Sequence, residues 1–348
     1  MEWLIWRAEP IRHGGFVRTK NQNMKSEQMI FGKGLTPESR EAAGEAFDKL
    51  SEEGFERVDG EVEKSEEASR FIGAVNGYLN EELRLMGVGE IQLDPRRIHI
   101  LSIDDFEKNF PNAEANGIYR DLADGIYVRQ AGRMQLYKTI FHEMVHQASS
   151  RSFFADPKDR NIGRRRIGYT AFNSGEKNHE HFRGLNEAVT DMIVREIFIK
   201  HKDELIRDFE ITEDEQKQSV DFYFEYMDVV KIIIAGIAKK NGEDEEAVWE
   251  RFKKGEFTGE MMHLRDIEKT FGKGSLRVLA AMDSGTKNID SDTDEKLSAY
   301  FKTEDEKSKD AIAKDILIER ERLRYNQSKI QKKKKTRFMS FFGFLFGK

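Results

Sequence analysis

The spacing of apolar residues predicts two helices in the first quarter of the chain. Thr36, followed by a proline and an acid, is suited to cap a helix that continues to about Glu53. After Ser65, apolar residues recur at intervals of three and four until Gly87, which is the pattern of an amphipathic helix with a glycine stop. Residues 1–35 show no sustained period and are left unassigned.

Shorter apolar segments in the middle of the chain predict strands. Residues 97–101 are rich in β-branched side chains, and residues 117–119 and 125–128 flank a polar turn, as in a hairpin. Helical spacing then returns between Met134 and Val145. A polar, arginine-rich connection follows, around residues 164–169.

Most of the remaining chain has helical spacing. Helices are predicted from about Gly184 to Lys200 and over residues 222–239, 243–254 and 266–282. Residues 302–335 are so rich in charge that we interpret them as a solvated helix or arm. Separate runs of strands and helices predict an α+β protein.

The composition limits the chemistry that these elements can carry. The chain of 348 residues has no cysteine, so thiolate metal sites and cysteine nucleophiles are excluded, and a metal must bind His, Asp or Glu. The N-terminal sequence lacks the features of a secretory signal. No apolar stretch approaches the roughly 20 residues that span a bilayer, and we expect a cytoplasmic protein.

Residues 142–146 read His-Glu-Met-Val-His inside a predicted helix. Because residues four apart share a helical face, His142 and His146 can bind one metal ion. Glu143 lies about 100° around the helix from His142, where it can take a proton from water that a zinc ion has acidified. The spacing therefore predicts a hydrolytic zinc site with Glu143 as general base.

A second segment offers the remaining ligand. Glu187 and Asp191 are also four residues apart, at the start of the next predicted helix. Glu187 can complete a His, His, Glu ligand set. Asp191 can accept the second ring N–H of a ligand histidine, which would fix the tautomer and orientation of that ring.

These two segments resemble the gluzincin metallopeptidases, the thermolysin-like family that pairs H-E-x-x-H with a downstream Asn-Glu helix. The segment Leu185–Ala188 is also similar to one in small bacterial gluzincin-like domains. The resemblance implies a zincin-like fold, in which a small sheet with a substrate-aligning hairpin packs on the H-E-x-x-H helix and a third-ligand helix. It further implies one zinc ion on His142, His146 and Glu187. In that family the position of Glu143 is the general base for peptide-bond hydrolysis by metal-activated water.

The sequence departs from the family in one interval. His146 and Glu187 are 41 positions apart, about twice the interval of the thermolysin pattern, so residues 151–183 form an insertion or a different connection. The residue that stabilises the oxyanion therefore cannot be placed by spacing. Tyr223 is our first candidate, and the others are Tyr169, His179, His181 and Tyr226.

With this assignment the chain divides into four regions. They are an N-terminal helical region (1–90), a zincin-like catalytic domain (91–240), a C-terminal helical region (241–315) and a basic arm with an aromatic tail (316–348). Peptides or proteins are the expected substrates. A catalytically silent zincin that serves as a binding module is an alternative, because a fold does not guarantee a function.

The basic and aromatic tail suggests another alternative. Residues 329–348 carry seven positive charges and no acid, which leaves a net charge of −13 on residues 1–328. Residues 332–348 can attach to an anionic membrane surface, dock on a protein partner or fold back on the chain. An adaptor that acts through this tail is therefore a third hypothesis. The acidic body argues against a nucleic-acid partner.

Overall fold

Helices surround two small mixed sheets in the computed structural model. It describes residues 29–32, 34–111, 115–155, 162–172, 180–212, 214–215, 224–281 and 291–322. The predicted α+β class is confirmed. The predicted boundaries between the four regions stay a prediction, and the tail lies outside the described residues.

The helices and strands are numbered in chain order. The helices are α1 (Pro37–Glu52), α2 (Glu66–Leu85), α3 (Ile103–Asn109), α4 (Arg133–Ala148), α5 (Arg183–Lys200), α6 (Lys202–Phe209), α7 (Phe224–Asn241), α8 (Glu245–Thr258), α9 (Arg265–Phe271), α10 (Ser275–Leu279), α11 (Ser291–Lys302) and α12 (306–322). The strands are β1 (Ile30–Phe31), β2 (Glu61–Val62), β3 (Ile98–Leu101), β4 (Gly117–Arg120), β5 (Gly125–Arg129), β6 (Arg151–Ala155), β7 (Ile162–Ile167), β8 (Thr170–Phe172) and β9 (Glu180–His181).

The first sheet has the strand order β2-β3-β5-β4, and we call it the hairpin sheet. β3 and β5 are parallel, whereas β4 and β5 form the predicted antiparallel hairpin. The second sheet has the order β1-β6-β7-β8-β9, with only β1 and β6 parallel. Among the described strands, β4 pairs with β5 alone and so forms an edge of the hairpin sheet.

Local signals in the sequence explain several of these elements. The hydroxyl of Thr36 accepts a hydrogen bond from the N–H of Ser39 and caps α1, as expected. Ser65 caps α2 in the same way through the N–H of Ala68. Capping supplies partners for backbone N–H groups that have none inside the helix, so these two helices begin where the sequence predicts.

Two segments differ from the sequence-based expectation. The connection 151–183, expected to be an insertion or a different connection with no elements assigned to it, contains β6 to β9. The single helix expected over 266–282 is divided into α9 and α10, because Gly272 and Gly274 both have a φ of +94°, which ends an α-helix. Met282 lies outside the described residues.

The main hydrophobic core lies between α2, α4, α5 and the C-terminal helices. α4 is buried around most of its circumference, and it contacts β4, β5, α2 and α5. Its apolar residues Tyr137, Phe141, Met144 and Val145 are all part of this core. A helix enclosed on so many sides is held in a fixed position, and so are the polar residues that it carries. No described helix is both long and apolar enough to cross a membrane.

Candidate metal centre

The structure brings the three predicted ligands to one place. Nε2 of His142 lies 2.9 Å from Nε2 of His146 and 3.1 Å from Oε2 of Glu187. Nε2 of His146 lies 3.3 Å from the same carboxylate oxygen. Two positions one turn apart on α4 and one position near the start of α5 therefore direct three potential ligand atoms toward a common point. We call the side chains of His142, His146 and Glu187 the ligand cluster.

These separations fit a divalent cation of zinc size. Zn–N and Zn–O bonds of about 2.0–2.1 Å in tetrahedral geometry place neighbouring ligand atoms roughly 3.3 Å apart. The observed 2.9–3.3 Å is at or slightly inside that spacing. The side chains of His142 and Glu187 are 14% and 24% exposed, so solvent reaches the ligand atoms.

Asp191 determines how the His142 ring is used. Its Oδ1 atom lies 2.7 Å from Nδ1 of His142, and its side chain is 1% exposed. A hydrogen bond from Nδ1–H to this carboxylate leaves the lone pair of Nε2 directed at the ligand cluster. Asp191, predicted to orient one of the two histidines, is thus in contact with the ring of His142.

His146 has neutral partners behind its ring. Nδ1 of His146 lies 3.3 Å from Nδ2 of Asn186 and 3.5 Å from the hydroxyl of Thr190. The Thr190 hydroxyl can accept the Nδ1 proton, which again leaves Nε2 available as a ligand. Both partners belong to the segment 186–191 that supplies Glu187, but no role was predicted for them from the sequence.

Glu143 lies beside the ligand cluster and is buried. Its carboxylate accepts a hydrogen bond from the backbone N–H of Tyr119 in β4. A Cβ atom on Gly117 in the same strand would lie 2.9 Å from Oε1 of Glu143 and 2.4 Å from the Thr139 side chain. The glycine therefore allows β4 to pass directly over this part of α4.

Burial and charge set the protonation of these groups. Burial alone lowers the pKa of His142 and His146, but nearby carboxylates outweigh it and raise the pKa of both rings: chiefly Asp191 for His142 and Glu187 for His146. Burial acts to raise the pKa of Glu187, and the two histidines hold it well below its usual value. The pKa of Glu143 is raised by burial, as is useful in a group that accepts and returns a proton.

A half-buried ion-pair network lies one helical turn beyond Glu143. Asp124, in the β4–β5 turn, pairs with Arg151 and accepts a hydrogen bond of 2.8 Å from the hydroxyl of Tyr119. The side-chain amide of Gln147 donates to the backbone oxygen of Asp124 at 3.1 Å. This network ties the hairpin to the C-terminal end of α4, which keeps β4 in position over Glu143. Its residues are distant in sequence and form no motif.

The candidate oxyanion donors have different outcomes. Tyr223 and His179 lie outside the described residues. Tyr169 is fully buried, and its hydroxyl donates to the backbone oxygen of Phe252 and lies 2.7 Å from Nε2 of His263. Tyr226 is buried in the main core, and His181 is half-buried in β9. The residue that would stabilise the oxyanion is therefore not assigned.

A second acidic cluster has a different character. Carboxylate oxygens of Glu196, Glu246 and Glu250 also lie close together. The ammonium group of Lys253, however, is 2.6 Å from Glu196 and 2.6 Å from Glu250. Since a protein cation already pairs with two of these three acids, we assign no metal site there.

No protein-family model, curated protein or solved structure matches the chain. Its function is therefore inferred from its own side chains and their geometry.

Proposed function

We propose that the protein is a zinc-dependent peptidase with a zincin-like catalytic unit. The observation that carries the proposal is the approach of His142 Nε2, His146 Nε2 and Glu187 Oε2 to within 2.9–3.3 Å of one another. A buried carboxylate, Glu143, stands next to them in the chain. A metal site used only for structure would not need such a base.

The ligands and the base have separate tasks. His142, His146 and Glu187 would hold a zinc ion, which would supply Lewis-acid chemistry by polarising a carbonyl and making water more acidic. The Glu143 carboxylate accepts a proton from the attacking water and returns it to the leaving nitrogen. Asp191 keeps the His142 ring in the tautomer that presents Nε2. No covalent intermediate with the protein is required.

The edge strand β4 suggests how a peptide is held. One side of β4 pairs with β5, and among the described strands nothing pairs with the other side. An extended peptide can add to such an edge through main-chain hydrogen bonds. Because Gly117 and Tyr119 contact Glu143, a peptide on this edge would run past the base and the ligand cluster.

The order of the elements supports the zincin-like part of the proposal. A small sheet with an antiparallel edge hairpin precedes the motif helix α4, and α5 supplies the third ligand. The longer interval between the two helices is occupied by β6 to β9. The extra length therefore forms a second sheet and still allows Glu187 to reach both histidines.

A paired assay tests the proposal. Zinc content and hydrolysis of an unfolded protein substrate are measured for the natural chain and for Glu143→Gln, with the exposed Glu204→Gln as control. We expect one zinc per chain in all three, and a loss of turnover by about 10²-fold or more in Glu143→Gln alone. Stoichiometric zinc without hydrolysis in the natural chain would favour the silent binding module. Turnover that survives in Glu143→Gln would remove Glu143 from the mechanism.

A further inference from the structure

Glu256 on α8 is a buried acid that the proposed reaction does not use. Its side chain is 0% exposed. One carboxylate oxygen, Oε1, accepts a hydrogen bond of 2.5 Å from the Ser149 hydroxyl. The other, Oε2, has no hydrogen-bond partner among the described residues. Burying a carboxylate with only one oxygen hydrogen-bonded costs free energy. Such a group in a folded protein calls for an explanation, and a functional role is one.

Glu256 lies directly behind the ligand cluster. Its backbone oxygen accepts a hydrogen bond of 2.9 Å from the N–H of Ser150, just after the end of α4. A Cβ atom on Gly168 would lie 2.1 Å from Oε1 of Glu256 and 2.3 Å from Oδ1 of Asn186. Asn186 in turn contacts the ring of His146. The Asn186 side chain therefore lies near both the Glu256 carboxyl group and the His146 ring.

Several charged or titratable groups face Glu256 from the elements around it. His146 of α4 and Glu187 of α5 interact with it electrostatically. So do Arg166 of β7 and Tyr169 of the β7–β8 turn. Arg166 acts at a distance, because no cation of the described residues lies within ion-pair distance of the Glu256 carboxylate. Among the described residues, this buried acid thus has no direct counter-ion.

A divalent cation on the ligand cluster would change this balance. The two histidines bind as neutral rings, so the negative charge close to the cation comes from Glu187, Asp191 and Glu143. In a largely buried environment a further anion at Glu256 would still attract the cation strongly, because charges interact strongly where the dielectric constant is low. We propose that Glu256 is a buried counter-charge for a divalent cation held by His142, His146 and Glu187, and that it raises the affinity of that site. The inference rests on the proposed metal site.

The proposal links cation binding to a proton on Glu256. Without a cation, burial raises the pKa of this carboxyl group to about 7, so much of it is protonated near neutral pH. Binding of the cation favours the anion and expels that proton. His142 and His146 release protons on binding as well, so the Glu256 proton must be measured as a difference between variants.

The test compares the natural chain with Glu256→Gln, which preserves shape and an acceptor for Ser149. Glu245→Gln, an exposed acid of the same helix, is the control for loss of one negative charge. Zn²⁺ affinity is measured by competition with a chelator, and proton release by calorimetry in buffers of different ionisation enthalpy. We expect Glu256→Gln to bind Zn²⁺ roughly 10- to 100-fold more weakly at about pH 8, with a smaller loss near pH 6. It should also release up to about one proton fewer below pH 7.

The outcomes separate this inference from the proposed function. If the natural chain binds Zn²⁺ and Glu256→Gln has the same affinity and proton count, the counter-charge is refuted while the metal site stands. If the natural chain does not bind Zn²⁺, the proposed function itself is refuted. Glu256→Met, which also removes the charge, should behave like Glu256→Gln. Unfolding of both metal-free variants would contradict the proposal, since removing an uncompensated buried charge should not destabilise the fold.

Discussion

Asp191 and Glu187 act on the same imidazole ring from successive turns of α5. Oδ1 of Asp191 lies 2.7 Å from Nδ1 of His142, and Oε2 of Glu187 lies 3.1 Å from Nε2 of that ring. One helix thus holds both nitrogens of a residue on another helix. The relative position of α4 and α5 is therefore coupled directly to the geometry of the ligand cluster.

Replacing Asp191 by Asn tests this coupling. The amide oxygen can still accept from Nδ1 of His142, but the negative charge that favours this tautomer is lost. We expect Zn²⁺ affinity to fall roughly 10- to 100-fold in a folded protein. Chelator competition measures the effect, and the exposed Asp203→Asn is the control. An unchanged affinity would mean that Asp191 serves packing alone.

The metal-free protein should lose stability as the pH rises above about 6.5. Folding raises the pKa of His142 and His146. Their contribution to stability is therefore fully present below the pKa of the unfolded chain and is lost as the pH rises through the pKa of the folded chain. The pKa of Glu187 is lower in the folded than in the unfolded chain. Its contribution to stability is therefore present at neutral pH and is lost only as the pH falls from the unfolded pKa through the folded pKa. Zinc requires neutral imidazoles, so its stabilising effect should grow with pH.

Denaturant unfolding in EDTA and in excess zinc, across this pH range, measures both trends. The difference in the free energy of unfolding between the two series should widen as the pH rises. A variant with both His142 and His146 changed to Gln should gain no stability from zinc at any pH, and its metal-free form should lose less stability above about pH 6.5 than the natural chain does. Two parallel curves for the natural chain would show that zinc does not bind through these rings.

The grouping of His142 with His146, and of Glu187 with Asp191, could be predicted because the information for it is local. Two histidines four residues apart share a helical face wherever that helix lies, and Glu187 and Asp191 obey the same rule. The β4–β5 hairpin could also be predicted from the sequence, since its strands are short and flank a polar turn.

Contacts between distant segments could not be predicted in this way. β7 reads Ile-Gly-Arg-Arg-Arg-Ile, without the apolar alternation that marks a strand, and it forms by pairing with β6 and β8. Glu256 follows His146 by more than a hundred positions, and its neighbours come from α4, the β7–β8 turn and α5. No spacing rule connects such residues.

Replacing Gly117 by Ala should impair the base without removing the metal. The new methyl group would collide with Thr139 and with Oε1 of Glu143, so β4 or the Glu143 side chain must move. We expect a loss of about 1–3 kcal/mol in the free energy of unfolding and a lower kcat, with unchanged zinc content. Gly73→Ala on the exposed face of α2, where a Cβ meets no atom within 4 Å, is the control and should stabilise the protein slightly. Normal kcat in Gly117→Ala would show that the approach of β4 to Glu143 is not required.

Replacing Glu256 by Gln should stabilise the metal-free protein at alkaline pH. The folded pKa of Glu256 is about 7, above the unfolded value, so the fold binds the proton more tightly and loses stability as the pH rises between these values. A difference of two to three pKa units corresponds to a loss of about 3 kcal/mol in the free energy of unfolding of the natural chain above pH 7. Glu256→Gln does not suffer this loss, because its amide carries no charge. Urea unfolding in EDTA should therefore show Glu256→Gln as the more stable protein at about pH 8, with little difference near pH 4. Equal stability of the two proteins at both pH values would mean that the Glu256 carboxylate is not strained by burial, and that the cation has no such charge to compensate.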